Sequence, residues 1–176
     1  MATLALVISL GALVASSSAQ STGDTETVWS SVGYIFYGER KPLPSSHTGS
    51  PALTPLGAQQ MYEQGTMFRA RYLSQNANLT AVAENITDYA PIQGIEGNAI
   101  DNTQLYIASS TDEWTAESAL AFMQGLYPAA PQTYSDNGGG MDGAVLADNT
   151  LLDYPLNGYQ YPKVQTLSIL DLNYIW

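Results

Sequence analysis

No cysteine occurs among the 176 residues, so this chain can form neither a disulfide nor a thiolate metal site. Its single histidine, His47, is too little for an imidazole-based zinc site, and Asp136, Asp142, Asp148 and Asp153 are spaced too irregularly for a calcium loop. No metal and no cofactor is expected. Positive charge is also scarce. Five Lys and Arg stand against sixteen Asp and Glu, for a net charge of −11. A surface of that sign repels nucleic acid and anionic membranes, and it offers no electrostatic funnel to a polyanion such as an inositol polyphosphate. Most of this charge reads as solubilising. Nor does any apolar run approach the roughly 20 residues that a membrane-spanning helix needs.

What is present begins with an apolar run from Leu4 to Val14, followed by Ser16-Ser17-Ser18-Ala19. That is the shape of a signal peptide with a small-residue cleavage site, although no Lys or Arg precedes the run. The expected organisation is a leader over residues 1–19 and one domain over residues 20–176, secreted to the extracellular space. Two sequons, Asn78-Leu79-Thr80 and Asn85-Ile86-Thr87, lie in a polar stretch and make Asn78 and Asn85 candidate glycosylation sites.

Past the leader, Val28 to Tyr37 reads as a central strand, its uneven apolar run suiting cover on both faces. Gly38 permits a tight turn, and the basic pair Arg40-Lys41 is stopped by Pro42. A fixed cation in the loop after a strand is placed to meet a phosphate. Thr54 as N-cap and Pro55 at the first helical position then start a helix, with Leu53 set for a hydrophobic staple. Met61, Gly65, Phe68 and Tyr72 recur at helical spacing through Leu73, and Arg69 and Arg71 fall in the last turn, where they complement the helix dipole. Leu105 to Ser109 reads as a short strand. Ser110 and Glu113 make a capping box for a helix to Leu126, which buries Ala119, Phe122, Met123 and Leu126 and ends at Pro128. Alternating strands and helices predict an α/β fold with a parallel sheet and right-handed crossovers.

Three segments in this order resemble the histidine phosphatase superfamily, in its secreted histidine acid phosphatase branch with divergent phosphoglycerate mutase-like members. Phe36 to Pro42 lines up with the signature Arg-His-Gly-x-Arg-x-Pro, Leu53 to Gly57 with Leu-Thr-x-x-Gly, and Ser110 to Tyr127 with a Ser-Thr-Asp segment entering a helix. The resemblance covers roughly residues 28–128. It implies a three-layer α/β fold of the phosphoglycerate mutase type, here incomplete at the C-terminal end. It also implies hydrolysis of small phosphate esters through a phospho-histidine.

The departures fall on the residues that would do this chemistry. Phe36 stands at the first signature arginine and Tyr37 at the nucleophilic histidine. Arg40 alone remains to bind phosphate. Ala108 or Ser109 occupies the third arginine position, Trp114 stands where a further arginine often follows, and the C-terminal histidine motif is not found. An imidazole with a pKa of about 6.5 offers a neutral nucleophile in mild acid, whereas a phenol of about 10 stays protonated and needs a base. Each clamp arginine makes charge-assisted bonds to phosphate, and losing one preorganised donor costs on the order of 3 kcal/mol. The expected function is thus a secreted, catalytically impaired acid phosphatase-like protein with an unidentified protein or glycan partner. The alternative is an active phosphomonoesterase with a rebuilt site. In that case His47, on the loop after Pro42, is the displaced proton donor to consider, against the ordinary reading of a solvated loop histidine. Tyr154 to Tyr161, rich in tyrosine, offers either a sugar-stacking face or the packing of an irregular segment.

Overall fold

The computed structural model of the chain describes residues 3–7, 27–42, 51–73, 89–129, 146–150 and 155–168. Four strands form one parallel sheet: β1 (Thr3–Val7), β2 (Ser30–Tyr34), β3 (Leu105–Ser110) and β4 (Val164–Leu167), in the order β2-β1-β3-β4. Two long helices accompany it, α1 (Pro55–Tyr72) and α2 (Glu113–Leu126), and a four-residue turn, α3 (Pro155–Gly158), precedes β4. The parallel α/β architecture expected from the alternation of elements is therefore present.

Topology explains where the helices lie. From β2 through α1 to β3, and from β3 through α2 to β4, the chain advances across the sheet in one direction. Right-handed crossovers then put both helices on one face. Ile35, Leu105 and Ile107 point to that face and join Met61, Phe122, Met123 and Leu126 in a single core. Phe122, Met61, Ile107, Met123 and Leu126 are almost wholly buried. Each such side chain contributes roughly 1.5–3 kcal/mol relative to exposure. Along β2 the alternate residues Val32 and Tyr34 are exposed, as is Tyr106 on β3. The described residues thus supply the sheet and one helical layer.

This corrects the expectation of a central first strand covered on both faces. Ser30–Tyr34 is one of the two edge strands of the four, and its apolar even positions face outward. The central neighbour of both β2 and β3 is instead Thr3–Val7, from the segment that the sequence marks as a leader.

α1 begins as expected: Thr54 is its N-cap and accepts a hydrogen bond from the Gly57 amide at 3.0 Å. α2 differs. Its N-cap is Asp112, with no side-chain cap bond, and the capping box of Ser110 with Glu113 does not form. Ser110 Oγ donates to Asp112 Oδ2 at 3.0 Å, so the serine orients the capping residue rather than acting as the cap.

The two helices meet backbone to backbone. A Cβ on Gly65 would lie 2.0 Å from the Phe122 carbonyl oxygen, and one on Gly125 would lie 2.0 Å from that of Tyr62. At the far end of the same contact, the buried Arg69 sends Nη1 to the carbonyls of Gly97 at 2.7 Å and Leu126 at 3.1 Å. Arg69 therefore caps the end of α2 as well as standing in the last turn of α1, which confirms its structural reading. Burial draws its pKa below the ordinary arginine value. Arg71 is exposed and lies over the Tyr72 ring, 5.4 Å from its centroid.

Two measurements test this packing. Gly125→Ala forces the helices apart, and overpacking of this kind costs about 3 kcal/mol, readable as a lowered urea midpoint. Tyr127, whose hydroxyl donates to the Glu96 carbonyl at 2.7 Å, is held protonated by burial to a higher pH than a free tyrosine. The unfolded chain releases that proton from about pH 10 upward, so this contribution is complete below that pH and declines above it. Tyr127→Phe is expected to lose about 1 kcal/mol at neutral pH and to show a shallower fall in urea midpoint between about pH 9.5 and 11. An alkaline limb as steep as the parent's would refute it.

Candidate functional site

The loops that leave β2 and β3 meet at the carboxyl edge of the sheet, where parallel α/β folds place their ligands. The first loop runs from Ile35 to Pro42. Gly38 crosses directly over Gly57 at the start of α1: a Cβ on Gly38 would fall 2.2 Å from the Gly57 oxygen, and one on Gly57 would fall 2.1 Å from the Glu39 oxygen. Only glycine at both positions allows this approach. Hydrogen bonds then fix the loop along its length. Thr54 N donates to Glu39 O at 2.9 Å, Lys41 N to Ala52 O at 2.9 Å, and Glu39 N to Gln60 Oε1 at 3.0 Å. Thr54 Oγ1 donates to the Glu39 carboxylate at 2.7 Å. Arg40 pairs with Leu53 in an antiparallel bridge.

α2 holds the same loop from the other side. Ser118 Oγ accepts from the buried Gly38 amide at 3.1 Å and donates to the Trp114 carbonyl at 2.6 Å. Glu117 Oε2 accepts from Leu53 N at 3.1 Å. Neither residue stands out in the sequence, because each acts across more than sixty positions.

These contacts build an aromatic stack around one cation. The Arg40 guanidinium carbon lies 5.4 Å from the Tyr37 ring centroid and 4.9 Å from that of Trp114. Tyr37 and Trp114 meet edge to face at 6.4 Å and 80°. Phe36 meets Tyr37 in the same manner at 6.4 Å and 77°, and is 45% exposed. Arg40 Nε and Trp114 Nε1 are buried without hydrogen-bond partners. Among the described residues no carboxylate pairs with Arg40. Ala108 and Ser109, at the third arginine position of the resemblance, are both buried in β3.

The structure thus brings together Tyr37 and Arg40, and adds Trp114 and Ser118. Trp114 was legible only as a missing arginine; its place in the first turn of the helix after Ser-Thr-Asp was the available signal. His47, Asn78 and Asn85 lie outside the described residues, as do Asp136, Asp142 and Asp153. Tyr159 and Tyr161 meet edge to face at 5.1 Å. Among the described residues no three His, Cys, Asp or Glu side chains are grouped to hold a metal ion. An open groove of about 410 Å³ between the start of α1 and the side of α2, walled by Leu53, Pro55, Ala58 and Leu120, contains none of Tyr37, Arg40 or Trp114. Thr54, Glu117 and Gln124 supply its polar wall, and no cation lines it.

The strand-loop-helix frame, with Gly38 locked under Gly57 and the second loop delivered by β3, is the one implied by the signature. The family model of the histidine phosphatase superfamily, branch 2, matches residues 14–157. The chain belongs to the histidine phosphatase superfamily. No curated protein matches it. Within this superfamily member the frame is kept, and the site carries a phenol and an indole around a single guanidinium.

Ser118 tests how far the stack depends on α2. Ser118→Ala leaves the buried Gly38 amide without a partner, for a loss of about 2 kcal/mol. The same substitution is expected to shift the indole fluorescence of Trp114. An unchanged unfolding midpoint would show that the loop does not rely on this bond.

Proposed function

We propose that this chain is a secreted histidine acid phosphatase-like protein whose phosphate site no longer turns over. The observation that carries this reading is the site's composition: Phe36 and Tyr37 fill the places of a clamp arginine and the nucleophile, and Arg40 is enclosed by Tyr37 and Trp114. A transferring phosphoryl group needs several preorganised donors around its oxygens and a nucleophile in line. One guanidinium between two rings meets the first need in part. Tyr37 is flanked by Phe36, Trp114 and Arg40, none of them a base. The reading extends to export with removal of residues 1–19, glycosylation at Asn78 and Asn85, and a role in binding small phosphate esters or a protein or glycan partner. A three-layer fold with further sheet strands beyond those described belongs to the same proposal.

Export has a structural consequence. Cleavage after Ala19 removes β1 from between β2 and β3, and the family match, which begins at residue 14, excludes that strand as well. The mass of the protein recovered from a eukaryotic secretion host is expected to begin at Gln20, with glycan on Asn78 and Asn85. A mass that retains Met1 would refute leader removal and leave β1 in the sheet.

Catalysis is tested by turnover of phenyl phosphate in mild acid. The folded parent is expected to hydrolyse it no faster than buffer, and the double substitution Phe36→Arg with Tyr37→His to do so measurably. Parent turnover that disappears in Tyr37→Phe would overturn the proposal in favour of a tyrosine-based phosphatase.

A further inference from the structure

The groove of about 410 Å³ between the start of α1 and the side of α2 is open to solvent and lies apart from the Arg40 stack. Its volume is at the small end of the roughly 300–1,000 Å³ usual for small-molecule sites. Glu117, Leu120, Ala121 and Gln124 fall at i, i+3, i+4 and i+7 of α2 and so make one stripe along its wall. That stripe is polar at both ends and apolar between them, with about 10 Å of helix rise from Glu117 to Gln124. Leu53, Pro55 and Ala58 supply apolar surface from the α1 side. Pro55, Ala58 and Ala121 carry short side chains, which leave space between the two helices. Leu120 is 38% exposed and takes no part in the core.

Charge narrows the class of occupant. Glu117 is the one charged side chain that lines the groove. It is half-buried, and its Oε2 accepts from Leu53 N at 3.1 Å, a backbone donor that leaves the negative charge uncancelled. All five Lys and Arg of the chain are among the described residues, and none of them is paired with Glu117. An anion would be repelled from this wall. A neutral apolar molecule would strip water from the carboxylate and return nothing for it. A cation with an apolar body meets both demands, because its N–H groups make charge-assisted bonds to the carboxylate while the body covers the leucines.

We propose that this groove binds a small organic ammonium ion, with the cation donating to the Glu117 carboxylate and the apolar body lying against Leu53, Pro55, Ala58 and Leu120. The ligand is opposite in charge to a phosphate ester, so the site is independent of whether the Arg40 stack turns one over.

The probe is phenethylamine, an ammonium ion at neutral pH, compared with phenethyl alcohol, phenylacetate and ammonium chloride. Each is titrated into the full chain by calorimetry at fixed ionic strength. Phenethylammonium is expected to bind with a Kd of about 1 mM. The alcohol and the bare ammonium ion are expected to bind about tenfold more weakly, and phenylacetate to show no saturation. In protein made with isotope-labelled leucine, the Leu53 amide resonance, identified by its loss in Leu53→Met, is expected to move upfield as the ligand draws charge from Glu117. Glu117→Gln keeps an acceptor for Leu53 N and should weaken phenethylammonium about tenfold, leaving the alcohol unchanged. Leu120→Ala, at an exposed position that the fold does not rely on, should weaken both about threefold. Equal binding of ammonium and alcohol, no saturable ammonium binding, or a Leu53 amide that does not move would each overturn the proposal. So would an affinity unaffected by Glu117→Gln, which is the mark of diffuse attraction to an acidic surface.

Discussion

Everything at the carboxyl edge depends on two glycines occupying the same small space. With the Gly57 carbonyl where a Cβ of residue 38 would stand, the β2 loop lies flat on the first turn of α1. Only then does Thr54 donate its amide and its hydroxyl to Glu39 and Arg40 pair with Leu53. The same economy of side chain recurs between Gly65 and Gly125, where α1 and α2 touch through their backbones. Because α2 is held so close, Ser118 reaches the Gly38 amide and Trp114 reaches Arg40. The site is in this sense a by-product of two close approaches, which the side chains of Ser118, Glu117 and Thr54 then fix in place.

Local signals were legible in the sequence and distant ones were not. Thr54, Pro55 and the 3.6-residue spacing through Tyr72 define α1 within its own residues, and the structure agrees nearly to the residue. The start of α2 was misassigned because Ser110 and Asp112 both suit a cap, and the choice depends on where β3 ends. Arg69 gave no hint of capping α2, since its acceptors at Gly97 and Leu126 lie 28 and 57 positions away. Similarly, Tyr37 and Arg40 could be placed by their spacing from Gly38. That Trp114 would complete their stack required knowing that the two loops meet.

β1 shows a different limit. An apolar run such as Thr3–Val7 satisfies the requirements of a leader and of a buried parallel strand equally well, because both ask for continuous hydrophobic residues without charge. Sequence pattern cannot separate them. The sheet makes the consequence plain: β1 is the sole neighbour of β2 among the described strands, and it joins β2 to β3. If export removes it, β2 and β3 stay attached, among the described residues, through α1, α2, the loops around Gly38 and the bridge of Val28 with Ile92. The place between them then demands another parallel apolar strand, since unpaired backbone donors and acceptors in a sheet interior are costly.

The aromatic enclosure of Arg40 also bears on what the site can have become. A guanidinium paired with a carboxylate has its charge cancelled and its donors occupied, and is poorly placed to bind an anion. Stacked on rings, it gains attraction from their π faces while keeping its charge and its in-plane donors. Tyr37 and Trp114 therefore hold Arg40 in position without neutralising it, and Trp114 adds a donor of its own. The arrangement keeps a guanidinium where the signature has one and holds it by aromatic contact.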